Sequence, residues 1–262
     1  MKSLILAALT IMATSASAEV LKLIDEPQGL AWSSEDVGNA GEAAAKDVLD
    51  KAVRLNQLGC QTHCDVIERV WSRLTVVFDE QQMNRAKKFA LRLHVVQTPD
   101  IDAFAVPNGT LVLSESLLRE NKLDDAQLAF VLAHEVAHVL LEHERQYLTA
   151  TLSILPRDVP RTVEDVYVEL AFNFGLVKAL EICYQQAELE ADQVGMQLAA
   201  LAGYPPIEQL QFMKNEATHE QAGTAVLATH PKAQNRLDRL QEQLPLAQSL
   251  YSYGAKQRQL ER

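Results

Sequence analysis

Leu128-Ala-Phe-Val-Leu-Ala-His134-Glu135-Val-Ala-His138-Val-Leu-Leu-Glu142 is the stretch from which the rest of the chain can be read. It is rich in Ala, Leu and Val, holds no Gly or Pro, and follows Asp124 and Asp125, residues suited to cap a helix start. On a helix, His134 and His138 stand one turn apart on one face, with Glu135 beside the first. The spacing His-Glu-x-x-His suits two imidazole ligands for one zinc ion and a carboxylate that takes a proton from water. Two buried, hydrogen-bonded histidines of a core helix would give the same letters, so the pattern needs support from elsewhere in the chain.

A catalytic zinc site takes three protein ligands and keeps a fourth position open. The segment Glu188-Leu-Glu-Ala-Asp192 offers the missing one. At helical spacing Glu188 and Asp192 share a face one turn apart, while Glu190 points elsewhere. We expect Glu188 as the third ligand and Asp192 as the acceptor that fixes the tautomer of a ligand histidine. A solvated acidic helix face is the competing reading.

Around this pair the chain reads mostly as helix. Apolar residues recur at helical spacing over 33–58 and 62–78, predicting two packed helices that cover the site. The period changes at Phe89–Gln97, which alternates as a strand, with His94 as a structural residue. Residues 102–107 are expected to form an edge strand, because Pro107 cannot donate to a sheet ladder. Asn108-Gly109 then turns the chain into a hairpin. A short helix follows over 114–121. After Glu144 an irregular region carries Pro156 and Pro160, and His143 and Glu144 are expected to be exposed and without a role. A long amphipathic helix over 162–201, interrupted at Gly175 or Gly195, precedes helices at 207–217 and near 232–244, with a loop at Thr229-His230-Pro231 between the last two. The expected fold is one α+β domain, predominantly helical, with a small antiparallel sheet beside the His-Glu-x-x-His helix.

The formal charge is −11 and is spread along the chain, which argues against nucleic acid and anionic lipid as partners. Met1-Lys2-Ser3, an apolar run and Ala16-Ser-Ala18 describe a signal peptide over 1–18, with residues 19–262 as the exported chain and no transmembrane segment after cleavage. A periplasmic or secreted location follows from that reading. In such a compartment three cysteines suggest one disulfide and one buried thiol. Cys60 with Cys64 suits the roughly 6 Å between i and i+4 on a helix; pairing of either with Cys183 competes.

Taken together, His134-Glu-Val-Ala-His138, Glu188-Leu-Glu-Ala-Asp192, Thr229-His230-Pro231 and Asp102-Ala-Phe-Ala-Val-Pro-Asn-Gly109 resemble the gluzincin metallopeptidases that include HtpX, the CAAX prenyl proteases and the Oma-type proteases. The resemblance covers roughly residues 85–240. Asp102 stands where the family usually has Asn, and Asn108 where it has the first Gly of a pair. The chain looks like a soluble BepA-type member without that type's repeat domain. The resemblance implies a zincin-like fold, one zinc ion on His134, His138 and Glu188, and Glu135 as general base for peptide hydrolysis. It places His230 and Arg236 as candidate donors to the oxyanion, and Ala103, Phe104, Ala105, Asn108 and Gly109 along an extended polypeptide substrate. It also implies a role in envelope protein quality control and leaves room for a regulatory partner protein. In an alternative reading His230 caps the metal, giving a latent enzyme or a binding module.

Overall fold

The computed structural model describes residues 27–80, 89–221 and 233–260. The segment read as a signal peptide and the loop carrying His230 lie outside the described residues. Among the described residues, ten helices and three strands occur in the order α1 (Ser34–Arg54), α2 (Cys64–Glu80), β1 (Arg92–Val96), β2 (Ala103–Ala105), β3 (Thr110–Ser114), α3 (Glu115–Asn121), α4 (Asp125–Leu140), α5 (His143–Ile154), α6 (Val163–Phe172), α7 (Phe174–Ala179), α8 (Glu181–Leu201), α9 (Pro206–Gln221) and α10 (Ala233–Leu260).

Helix α4 is the quoted stretch, and it is the centre of the molecule. Asp124 caps it in a reciprocal capping box with Gln127. From Ala126 to Leu140 every residue but His138 is buried, as expected of a helix that is apolar all round. Helices α2, α8 and α9 and the edge strand β2 pack against it, and α10 closes over α8 and α9. None of the described helices is long and apolar enough to cross a membrane.

The architecture is the expected predominantly helical α+β, but the sheet is mixed rather than antiparallel. Strand order is β1-β3-β2, with β1 parallel and β2 antiparallel to β3. The reason lies in β3, whose five residues are all buried, so that it needs partners on both edges. Strand β2 has only three residues and can cover one. The 97–102 connection therefore carries the chain past β3, and β1 takes the other edge in parallel. The turn between β2 and β3 falls where Asn-Gly marks it, but Gly109 alone is left-handed, at φ 90°. Its N–H donates to the Val106 carbonyl, and the Asn108 side chain accepts from the Thr110 N–H at 2.9 Å. A Cβ on Gly109 would meet the Phe89 carbonyl oxygen at 2.0 Å, so no other residue fits there.

Other boundaries shift for local reasons. Asn173, at φ −118° and ψ 87°, breaks the expected long helix and caps α7 through Leu176 N–H, whereas Gly195 lies inside an unbroken α8. Helix α5 occupies much of the stretch expected to be irregular, because Tyr147, Leu148 and Thr151 bury one of its faces. Helix α10 runs past Pro245, since Ala247 and Leu250 go on burying the face begun by Leu240. Cys60 and Cys64 are disulfide-bonded at the start of α2. Cys183, expected to be a buried thiol, is free and exposed, because the first turn of α8 projects from the core.

Beside the disulfide, the fully buried Glu115 collects the backbone N–H groups of Gln61, Thr62 and His63, the Thr62 hydroxyl and the Gln97 amide. Burial would raise this carboxyl, but the converging donors hold it well below the usual carboxylate range. Its contribution to stability is therefore complete above the ordinary value of 4.5 and is lost as pH falls below it. We expect Glu115→Ala to cost about 3 kcal/mol in urea unfolding at pH 7, and the gap to wild type to narrow toward pH 3.

Candidate metal centre

Two helices bring the candidate ligands together. One turn of α4 separates His134 from His138, and their Nε2 atoms lie 3.1 Å apart. Helix α8 crosses α4 at Gly195, where a Cβ would stand 2.8 Å from the His134 backbone nitrogen. That close approach carries Glu188, about two turns earlier on α8, onto the same spot. Its carboxylate oxygens lie 3.5 Å from His134 Nε2 and 3.3 Å from His138 Nε2. Ligand atoms about 2.0–2.2 Å from one tetrahedral centre are spaced by about 3.3–3.6 Å. The two imidazole nitrogens stand 3.1 Å apart and each lies 3.3–3.5 Å from a different oxygen of Glu188, close to that spacing, so this donor set of two nitrogens and a carboxylate fits a zinc ion. His134 and Glu188 are buried, and His138 is the more accessible of the three, so the cluster opens on its side.

A second layer holds these groups. Asp192 Oδ1 lies 3.0 Å from His134 Nδ1, leaving Nε2 of that ring for a metal. Arg236 donates to both oxygens of Asp192, at 2.7 and 2.6 Å, and its Nη1 is 3.3 Å from Glu188 Oε2. Burial alone would raise the Asp192 carboxyl, but the Arg236 guanidinium holds it down at about 2. Arg236 therefore stands behind the ligands, its fork on two carboxylates and outside the cavity wall, rather than facing the cavity as an oxyanion donor would. The long-range pairing of α10 with α8 decides this, and nothing in the spacing of the sequence marks it.

His143 is the residue the sequence reading missed. It is buried, and its Nδ1 lies 3.0 Å from His138 Nδ1, while its Nε2 lies 3.4 Å from Glu190. Burial pushes His143 down to about 4, so it is neutral at pH 7. The sequence predicts an exposed continuation of the helix here. In fact α4 ends at Leu140 and Glu142 is left-handed at φ 55°, which turns the chain back on itself. Glu144 is only partly exposed and lines the cavity below.

A cavity of about 630 Å³ opens at the cluster. Glu135, His138 and Glu188 are among its polar lining residues, and Val37, Val139, Tyr147 and Ala150 among its apolar ones. Glu135 is almost fully buried and does not belong to the ligand cluster. Residues 103–107 form another side of the cavity. Strand β2 pairs with β3 on one edge, and its other edge pairs with no strand among the described residues. Asn108 and Gly109, grouped with this strand in the sequence reading, build its turn and are not in the cavity wall. The structure thus gathers His134, Glu135, His138, Glu188 and residues 103–105 at one place, with Asp192 and Arg236 behind the ligands.

Comparison with known proteins finds similar sequences. Residues 65–244, more than half of the chain, match the model of a family described as peptidase family M48. The mitochondrial metalloendopeptidase OMA1 of Bos taurus is 31% identical over 179 residues, covering 59% of this chain and 32% of that protein. The mitochondrial metalloendopeptidase OMA1 of Arabidopsis thaliana is 26% identical over 254 residues, covering 85% and 48%. The beta-barrel assembly-enhancing protease of Escherichia coli K12 is 27% identical over 168 residues, covering 57% and 34%. The chain spans less than half the length of these relatives.

Proposed function

Since the chain belongs to peptidase family M48, a family of metal-dependent peptidases, we propose that it is a zinc endopeptidase acting on extended or misfolded polypeptides. The observation that carries this reading is the convergence of His134, His138 and Glu188 beside Glu135, at the mouth of a cavity walled by an edge strand. His134, His138 and Glu188 would hold the zinc ion, which when bound would supply Lewis acidity toward a peptide carbonyl and a water. Glu135 accepts the proton of the attacking water and delivers it to the leaving amine nitrogen, acting in turn as base and acid. Asp192, fixed by Arg236, keeps His134 in the tautomer a metal requires. An extended substrate adds to β2 as a further strand, through backbone hydrogen bonds that read little of its sequence. That mode favours unfolded chains over folded ones. If residues 1–18 direct export, the place of action is the periplasm or the cell exterior, and removal of damaged envelope proteins is the role that fits.

The test uses the full chain. We expect about one zinc ion per molecule by elemental analysis and cleavage of an unfolded protein such as casein. Removing zinc with a chelator should lower the rate by about two orders of magnitude, and adding zinc back should restore it. Zinc without cleavage would leave the binding-module reading in which His230 caps the metal; absence of zinc would remove the metal centre itself.

A further inference from the structure

The two candidate histidine ligands are steadied in different ways. His134 leans on a carboxylate anion, Asp192, itself clamped by an arginine. His138 leans on a second imidazole, that of His143, with the rings edge to face at 4.8 Å between centroids. We propose that His143 is the positioning residue for His138, accepting its Nδ1–H and passing the hydrogen bond on through Nε2–H to Glu190. The inference rests on the reading that His138 holds the metal.

Proton placement supports it. If His138 offers Nε2 as a ligand, its Nδ1 carries the hydrogen and must donate. His143 Nδ1 lies 3.0 Å from it and offers a lone pair only when the proton of that ring is on Nε2. Glu190 Oε2, 3.4 Å from His143 Nε2, is placed to favour that tautomer. Each nitrogen in the chain His138–His143–Glu190 then has one role, and no donor faces a donor.

Backbone geometry supports it independently. On an uninterrupted helix, a residue five positions after His138 lies about 140° round the axis and faces away. The left-handed Glu142 ends that helix and brings His143 back over His138. Such a conformation is costly for a residue with a side chain. It is held by the Glu142 carboxylate, which accepts from Ser34 and from Arg145. These contacts tie the turn to α1 and to the next helix.

The experiment measures zinc affinity of the full-length chain by competition with a chromophoric chelator, together with the visible spectrum of the cobalt-substituted protein. His143→Leu removes the acceptor and should weaken zinc binding about 10–100-fold and shift the cobalt band. His143→Gln, whose amide oxygen can accept the same N–H, should recover most of the loss. Glu190→Ala, on a half-exposed side chain, should weaken binding less than His143→Leu. Unchanged affinity and spectrum in His143→Leu, or equal losses in the Leu and Gln variants, would overturn the proposal. Should His143→Leu not fold, Glu190→Ala decides, and a wild-type affinity and spectrum there overturn it. Wild type that binds no zinc is a different failure, since it removes the metal centre itself.

Discussion

Glu135→Gln should bind zinc as well as wild type does and cleave an unfolded protein about 10²–10⁴-fold more slowly. The substitution replaces one oxygen by an amide nitrogen of nearly the same size, so α4 keeps its packing. What it removes is the only step assigned to this side chain, acceptance of a proton from water and its return to the leaving amine. The ligand cluster consists of His134, His138 and Glu188, so metal content should not change. A loss of that size corresponds to about 3–5 kcal/mol of transition-state stabilisation. The comparison is made on variant and wild type matched for zinc content. A variant that loses its zinc would make Glu135 a ligand, and one that cleaves within tenfold of wild type would take the proton-transfer role away from it.

The second large effect is on stability. Arg236→Leu leaves Asp192 buried at 1% exposure and Glu188 at 7%, both without their cation. Breaking a buried pair from one side costs about 3–5 kcal/mol, because the remaining charge can be neither solvated nor neutralised cheaply. For a chain of this size that lowers the thermal midpoint by about 10 °C. The measurement belongs on metal-free protein, so that loss of zinc cannot account for the change. Asp192 also sets the sign with pH. Its folded value of about 2 lies below the ordinary 3.8, so the pair's contribution is whole above 3.8 and disappears as pH falls through about 2. The gap between variant and wild type should therefore shrink in acid. Removing both charges, in Arg236→Leu with Asp192→Leu, should recover part of the loss; if the double variant is no more stable than the single one, the uncompensated charge is not the cause.

What the sequence disclosed and what it withheld divide along the distance over which each contact acts. The metal helix was legible because its capping residues, its apolar letters and its two histidines all lie within one short stretch. Glu188 and Asp192 were legible because helical spacing puts both on one face. Pro107 and Asn108-Gly109 located an edge strand and its turn by local backbone chemistry. The parallel partner of β3 could not be read, since Arg92–Val96 carries no letter saying which side of a distant strand it will join. Arg236 reaches Asp192 from 44 positions away. His143 was hidden for a subtler reason. Its approach to His138 depends on a left-handed glutamate, and neither Leu141 nor Glu142 is a residue type that announces such a turn.

The crossing of α4 and α8 at Gly195 has a last consequence, for the order in which folding and metal uptake occur. In small zinc-organised domains the ion gathers ligands from a disordered chain, and folding waits for it. Here backbone meets backbone where the helices cross, inside a core built of apolar side chains. Packing of α4 on α8 therefore brings the three candidate ligands together as part of folding, and a metal would meet them already assembled. We therefore expect the chain stripped of metal to resist proteolysis nearly as well as the metal-loaded chain.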